Sequence, residues 1–448
     1  MAKLIIGLFI ELIIFLTLNK KIFYKEEDQY KNLIVFLLMC FFNFHISLHY
    51  SQTIVGVKNT FYVPSIFLAI VALFTSVVKR KSFHFRYEYV FLLLIAAHFI
   101  YSLVVFPVLD KAHYFYMVIL LLSISMIILI YQSIKIYKFD KLLYYTNYLA
   151  IANGILAILQ FITGKMLVLG SFNQSIFYYE GLTTVKRAVG IGMTNNAAGN
   201  LGAILFAVVL YNLLKNKDLT SLFSLIFTLL FSFLTLTRIG YVAIFVELVL
   251  IVVTTRIKYI KMFLKKKWSV IGLTLFLIVS LLVTWNKINY YLFQSRGDTL
   301  TSRFIQYRRV LGDVVSHNFW LGVGEARYQY YLYANKGIHD LVIHSQYLNV
   351  LAEQGCIIFI IFVFGNFYII VYILRQEKSK LLKAFSLSLF IGNFICINFN
   401  PNQYYYINNI FYYFYIFGEY YKLQQRDANE SKKTLAHDLE QYKNSTRG

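Results

Sequence analysis

Four stretches of the chain bring together residue types that can act on an anionic, hydroxyl-bearing substrate. The first, Lys186-Arg187-Ala188-Val189-Gly190-Ile191-Gly192-Met193-Thr194-Asn195-Asn196, runs straight into an apolar block. Two cations, two glycines and an Asn pair at a helix start make an anion cradle, because helix N-terminal amides favour negative charge. The same residues also read as a plain helix cap at Asn195 or Asn196. The second is Arg238, in Leu-Thr-Leu-Thr-Arg-Ile-Gly-Tyr between two apolar runs. A guanidinium that close to hydrocarbon is costly unless it is paired or hydrated. It either snorkels to the interface or meets a phosphate or carboxylate, which its planar fork suits.

The third stretch holds Arg296, Arg303, Arg308 and Arg309, then Asn318-Phe319-Trp320-Leu321-Gly322-Val323-Gly324-Glu325. Its arginines form a basic surface or simply solvated charge. Tyr328, Tyr330, Tyr331 and Tyr333 can stack on sugars or belong to an interfacial aromatic belt. The fourth begins at His344, in His344-Ser345-Gln346-Tyr347-Leu348-Asn349, and continues to Glu353-Gln354-Gly355. A neutral imidazole accepts a proton near pH 7 or orients a hydroxyl, although a single His is often structural. His45 and His49 are four apart with His98 elsewhere, but no Asp, Glu or Cys stands near them, so metal binding is not favoured.

These residues must be held by membrane helices. Of 448 residues, 59% are hydrophobic and 14% charged, against roughly 25% charged in ordinary globular chains. The apolar residues come in blocks of about 15 to 22, the length that crosses hydrocarbon as a helix. Spans are expected at 4–18, 32–50, 60–78, 88–108, 114–131, 142–163, 197–214, 219–236, 239–255, 268–285, 356–374, 381–399 and 403–418. The polar, aromatic start of the last also suits an interfacial helix or half-span. This is an all-α, polytopic transmembrane bundle of about 12–13 spans. It divides into a membrane domain, residues 1–418, and a basic polar tail, 419–448.

The formal charge of +22 reflects topology before it reflects nucleic acid. With alternate loops assigned to one side, 29 of the 43 Lys and Arg fall together. Half of the other 14 lie in the long segment 286–343, a poor guide to orientation. The basic side is therefore cytoplasmic, with the tail inside and the long loops 164–196 and 286–343 outside. No Gly-x-x-x-x-Gly-Lys-Ser/Thr loop is present, and the cytoplasmic connections are too short for a nucleotide-binding domain. Cys40, Cys356 and Cys396 sit inside apolar segments as small core hydrophobes.

In order and spacing, Arg187 with its Gly turn and Asn pair, Thr237-Arg238-Ile239-Gly240, Leu321-Gly322-Val323-Gly324, His344-Ser345-x-Tyr-Leu-Asn and Glu353-Gln354-Gly355 resemble the O-antigen polymerase and ligase superfamily. The resemblance spans about residues 180–375. It departs from the family at Thr237, where Ser is frequent, at Thr194-Asn195-Asn196, where Asn-Pro-Asn is frequent, and at Ser345, where Asn is frequent. It implies glycosyl transfer from a polyprenyl-diphosphate-linked oligosaccharide at the outer face of a bacterial cell membrane, with neither nucleotide sugar nor metal and no cofactor. Arg187 and Arg238 would then stabilise the diphosphate, and His344 would be the base or hydroxyl-orienting group. Arg303, Glu353, Asn195 and Lys186 are the further substrate-binding candidates. Membrane lipid, a chain-length regulator and a flippase are the expected partners.

Polymerase is preferred over ligase because large aromatic outer loops suit two glycans, and capsule or exopolysaccharide is as compatible as O-antigen. A repeat-unit flippase or other transporter would spread charge along a central cavity, whereas midspan charges here are few, chiefly Glu11, Glu88 and Glu247. A noncatalytic assembly subunit would tolerate alanine at Arg187, Arg238 and His344.

Overall fold

A computed structural model describes residues 5, 9, 47–54, 57–64, 88–105, 139–168, 171–180, 183–192, 194–255, 299–401 and 406–445. The expected spans at 4–18, 114–131 and 268–285, most of 32–50 and 60–78, and Glu11, Cys40, His45, His113, Met193 and Arg296 lie outside them.

The described part is helical and polytopic. Helices α1 (Glu88–Val105), α2 (Phe139–Thr163), α3 (Asn195–Asn216), α4 (Leu219–Thr235) and α5 (Arg238–Thr255) follow the apolar blocks, their ends within three residues of the sequence reading. Beyond α5 come α6 (Thr299–Arg309), a π-turn at Val310–Val315, and α7 (Tyr328–Lys336). The short α8 (Gln346–Asn349) passes through a second π-turn, Val350–Gln354, into α9 (Gly355–Gln376). Helices α10 (Lys380–Ile397) and α11 (Tyr406–Ser445) complete the fold. Five helices among the described residues are long and apolar enough to cross a membrane.

Two expectations change. Residues 47–50 and 60–64 were read as ends of helical spans, but Ser47–Ile54 (β1) and Val57–Pro64 (β2) pair as antiparallel strands. Their Thr, Tyr, Val and Ile content favours extended backbone. The last span and the tail are also not separated by a break, because α11 runs unbroken through residues 418 and 419.

Helix α3 is buried along most of its length and packs against α2, α4, α5, α10 and α11. Inside a membrane, apolar surface does not draw helices together, so small residues and interhelical hydrogen bonds must do it. The buried Asn212 donates to the Leu143 carbonyl (2.6 Å) and to Asn147 Oδ1 (2.9 Å). Asn147 donates to Ser221 Oγ (3.1 Å) and accepts from Ser224 Oγ (3.0 Å), which ties α2, α3 and α4 together. At the same end of α3 as its N-terminus, α5 crosses so closely that a Cβ at Gly240 would lie 2.8 Å from the Gly199 carbonyl oxygen. At the opposite end, Lys422 of α11 pairs with Glu419 (3.0 Å) and Glu377 (3.7 Å), and Tyr372 donates to Asp427 (2.9 Å).

The α3–α5 crossing predicts that Gly240→Ala forces the helices apart. Overpacking of this kind costs about 1–3 kcal/mol, so the apparent melting temperature in detergent should fall by several degrees. Gly312→Ala, where a Cβ meets nothing within 4 Å, should leave it unchanged or slightly raised.

Candidate active site

Strand alternation separates the two adjacent cations of the first motif. Phe177–Glu180 (β3) and Thr183–Lys186 (β4) form a hairpin with Phe177 opposite Lys186, and Arg187 N extends it by donating to the Ile176 carbonyl (3.1 Å). Successive side chains on such backbone point opposite ways. Lys186 turns to one side, where its ammonium donates to the Phe161 carbonyl near the end of α2 (2.6 Å) and lies over the Phe161 and Phe177 rings. Arg187 turns inward and is buried. Its Nε donates to the Thr235 carbonyl (2.7 Å) and a terminal nitrogen donates to Thr237 Oγ1 (2.8 Å).

The segment after Arg187 dips into the end of the bundle as irregular backbone, which is tolerated there only if its amides find partners. Two α2 side chains supply them. Gln160 Oε1 accepts from Val189 N (3.0 Å) and Gly190 N (2.7 Å), and Asn153 Oδ1 accepts from Ile191 N (2.8 Å). The amides of Val189, Gly190 and Ile191 therefore serve the fold. The α3 cap is Thr194, whose Oγ1 accepts from Ala197 N (3.3 Å), while Asn195 Oδ1 accepts from Asn196 N (2.9 Å).

Arg238 is brought beside this segment by a tight turn. Leu236, between α4 and α5, has a left-handed backbone (φ 51°), and a non-glycine residue pays roughly 1–2 kcal/mol for it. Arg187 grips both sides of that residue through Thr235 and Thr237. The Thr237 hydroxyl in turn donates to the Asn195 carbonyl (2.9 Å). Arg187, Thr237 and Asn195 thus form one cluster, and half-buried Arg238 follows Thr237 in the chain.

A second cluster is built on α6. Arg303, Gln306 and Tyr307, spaced i, i+3 and i+4, share a helix face. The Arg303 guanidinium lies over the Phe399 ring (5.4 Å). Tyr307 OH donates to the Asn398 carbonyl (2.8 Å). Gln306 holds the strand-like stretch before α8, including His344. Asp340 organises the same stretch, accepting from Arg309 (2.7 Å) and from Tyr328 OH (2.8 Å). Tyr328 is therefore a core residue and not a sugar platform. Burial first, and then the charge of Arg303, hold the His344 imidazole below its ordinary pKa against the opposing pull of Asp340. The ring is neutral at pH 7.

Residues 398–400 join the clusters. Asn200 of α3 donates to the Asn400 carbonyl (2.9 Å) and Asn400 returns a bond to Asn200 Oδ1 (3.3 Å). Asn408 of α11 reaches the Ala197 carbonyl (2.9 Å). The neighbouring Phe399 carries Arg303, and Asn398 takes Tyr307 and lies 3.4 Å from Ser345 Oγ.

Glu353 lies below the Leu321–Glu325 turn. Its carboxylate accepts from Ala326 N (2.9 Å) and Tyr328 N (3.1 Å), capping α7. The Glu353 and Ala352 carbonyls accept from Gly324 N (2.9 Å) and Val323 N (3.0 Å). Gly322 and Gly355 permit this docking: both have positive φ, and a Cβ on either would run into the facing backbone at Glu353 or Trp320. Glu353 is thus placed to hold the loop in position. Sequence reading missed Gln306, Tyr307, Asp340, Asn398 and Asn400. The i, i+3, i+4 spacing on α6 was the one available signal for the first two.

The comparison with known families falls on this part of the chain. Residues 223–363 match the O-antigen ligase family. The match takes in Arg238, Arg303, His344 and Glu353, whereas Lys186, Arg187 and Asn195 lie before it. It supports the O-antigen polymerase and ligase superfamily, and the apolar helices agree with a multi-pass membrane protein. No curated protein matches the chain.

Glu325 gives this region a pH dependence. It accepts from Gln354 (2.6 Å), but burial outweighs that bond and raises its carboxyl pKa, and Glu353 is raised too, by burial and then by the Glu325 charge. An acid with a raised folded-state pKa favours the folded state while protonated. Stability therefore falls as pH rises above the ordinary Glu range of about 4.3. Glu325→Gln should raise the apparent melting temperature at pH 8, and the difference from wild type should shrink at pH 5.

Proposed function

We propose that the chain is a polysaccharide polymerase at the outer face of a bacterial cell membrane. It moves a glycan from polyprenyl diphosphate to a sugar hydroxyl of a lipid-linked repeat unit. One observation carries this reading: Arg187 and Thr237 bond to each other and to Asn195 at the start of α3, Asn200 one turn further along α3 bonds Asn400, and the neighbouring Phe399 lies under Arg303, one turn of α6 from the Gln306 that holds His344. Three arginines and an imidazole, spread over residues 187 to 344 in sequence, are thereby tied to neighbouring segments of the fold, which supports reading them as one site. The excess of Lys and Arg in the connections of the other side supports an outward-facing site.

The reaction asks for such a set. The acceptor oxygen forms a bond to the anomeric carbon as the bond from that carbon to the phosphate oxygen breaks. The electron pair leaves with the diphosphate, the hydroxyl proton passes to His344, and the anomeric centre inverts. Charge grows on the leaving group in a site poor in water, where fixed guanidinium groups are most effective. Arg238, at the start of α5, adds the positive end of that helix to its own charge. Arg303 approaches from the His344 side. Arg187 acts through the Thr235–Thr237 turn as a positioning residue and contributes its field. Asn195 serves through its backbone carbonyl and Lys186 through the end of α2, so both support the site from behind.

A ligase reading has the family match in its favour. It uses the same donor chemistry and differs in passing the finished glycan to another acceptor.

Purified protein given a polyprenyl-diphosphate-linked repeat unit should release polyprenyl diphosphate and build a ladder of lengthened glycans. His344→Ala and Arg238→Ala should lower kcat by about 10²- to 10⁴-fold, the range for removing a general base or an electrostatic stabiliser. Wild-type protein that lengthens no glycan but transfers one to a second lipid would establish the ligase. Full activity in both variants would overturn the site.

A further inference from the structure

The surroundings of His344 fix more than its position. Gln306 is buried on α6, 38 residues earlier in sequence, with both ends of its amide in contact with groups whose hydrogen-bonding character is not adjustable. One end faces acceptors only: the Leu341 carbonyl (3.0 Å), the Val342 carbonyl (3.3 Å) and Asp340 Oδ1 (3.4 Å). That end must be the NH2. The other end faces the backbone N–H of His344 (3.1 Å), an obligatory donor, and must be the oxygen. Amide orientation, usually ambiguous, is here determined twice over.

The same oxygen lies 3.2 Å from His344 Nδ1. An oxygen with no proton to give can only accept, so the neutral ring must carry its proton on Nδ1. We infer that Gln306 is a positioning residue that locks His344 in the Nδ1–H tautomer, leaving the Nε2 lone pair as the atom that receives the acceptor hydroxyl proton. The role of Nε2 rests on the proposed glycosyl transfer, but the tautomer lock does not.

Unconstrained neutral imidazole favours the opposite tautomer, with the proton on Nε2, which has no lone pair there to accept with. A ring in that form at this site would present an N–H to the incoming hydroxyl and could not act as its base from that nitrogen. The charged and titratable groups around the ring are Arg303 of α6 and Asp340 of the preceding stretch, the latter already engaged by Arg309 and Tyr328. Asn398, which faces Ser345, is uncharged. The Val342 carbonyl also faces the ring and favours a proton on it.

The test reads the tautomer directly. Full-length protein labelled with 15N-histidine in lipid nanodiscs is compared with His344→Ala to identify the His344 ring signals at pH 8. Wild type should show the Nδ1–H form. Gln306→Leu, which keeps the volume and loses both hydrogen-bonding ends, should shift the ring toward Nε2–H and lower kcat for transfer at least tenfold with KM for the donor little changed.

Gln306→Glu covers the case in which the leucine variant fails to fold. It keeps an acceptor at Nδ1 and should hold the Nδ1–H form. Its second oxygen faces the Leu341 and Val342 carbonyls and Asp340, so it keeps its proton to donate there, and the neutral variant should retain the wild-type acid-side pH profile. A wild-type ring found as Nε2–H, or a tautomer unchanged by Gln306→Leu in folded protein, would overturn the inference. An Nδ1–H ring that responds to Gln306, in a protein where His344→Ala remains active, would uphold the lock and reject the catalytic reading of the ring.

Discussion

The buried Arg187 guanidinium and the Thr235–Thr237 turn depend on each other, and the rest of the site follows from that pair. A left-handed Leu236 is unfavourable by itself, and a guanidinium removed from water is more so. Together the Thr235 carbonyl and the Thr237 hydroxyl give the guanidinium acceptors, while the guanidinium pins both residues that flank the strained position. The result is a sharp reversal between α4 and α5 that leaves Arg238 as the first residue of a helix. Substituting Lys for Arg187 would keep the charge but lose the fork that reaches two acceptors at once.

A second constraint is the irregular backbone at this end of the bundle. Much of the irregular backbone there, together with one carbonyl in the first turn of α3, is satisfied by amide side chains from neighbouring helices. Gln160 and Asn153 serve residues 189–191, Asn200 serves the Asn400 carbonyl, Asn408 serves the Ala197 carbonyl, and Gln306 serves residues 341–344. Amide side chains suit this duty because they donate and accept without carrying a charge that must be desolvated. The chain can therefore concentrate its charges where chemistry is proposed and use Asn and Gln for support.

This division also explains what was legible in the sequence. Helix starts expected at 197, 239 and 381 lie within two residues of the observed Asn195, Arg238 and Lys380, because the length of a membrane helix is set by the bilayer and not by distant contacts. The order of Arg187, Arg238 and His344 pointed to a family, and the match over residues 223–363 agrees. Gln306 and Asn400 were not legible. A buried amide looks like any other polar residue until the partner strand is in place, and those partners lie 34 to 200 residues away. The α3 cap was assigned to Asn195 or Asn196 when Thr194 provides it, since all three are good capping residues and backbone geometry alone selects among them. The strands at 47–54 and 57–64 were missed because the span search extended apolar runs past the point where polar, β-branched residues favour extended backbone.

Arg303 connects the two halves of the proposed chemistry. Burial of the ring and the charge of Arg303 both lower the His344 pKa, and the Arg303 guanidinium lies over the Phe399 ring. An anionic diphosphate beside Arg303 would offset part of the positive field felt by the imidazole. The ring would then become a stronger base only once a donor is present, with its charge compensated as it forms. A base of fixed high pKa would already be protonated at neutral pH, and one depressed permanently would gain little from the hydroxyl proton. In the proposed reaction, coupling the imidazole to a guanidinium that also met the leaving group would avoid both, because the charge developing on the diphosphate and that developing on the ring would be of opposite sign and share Arg303 as a neighbour.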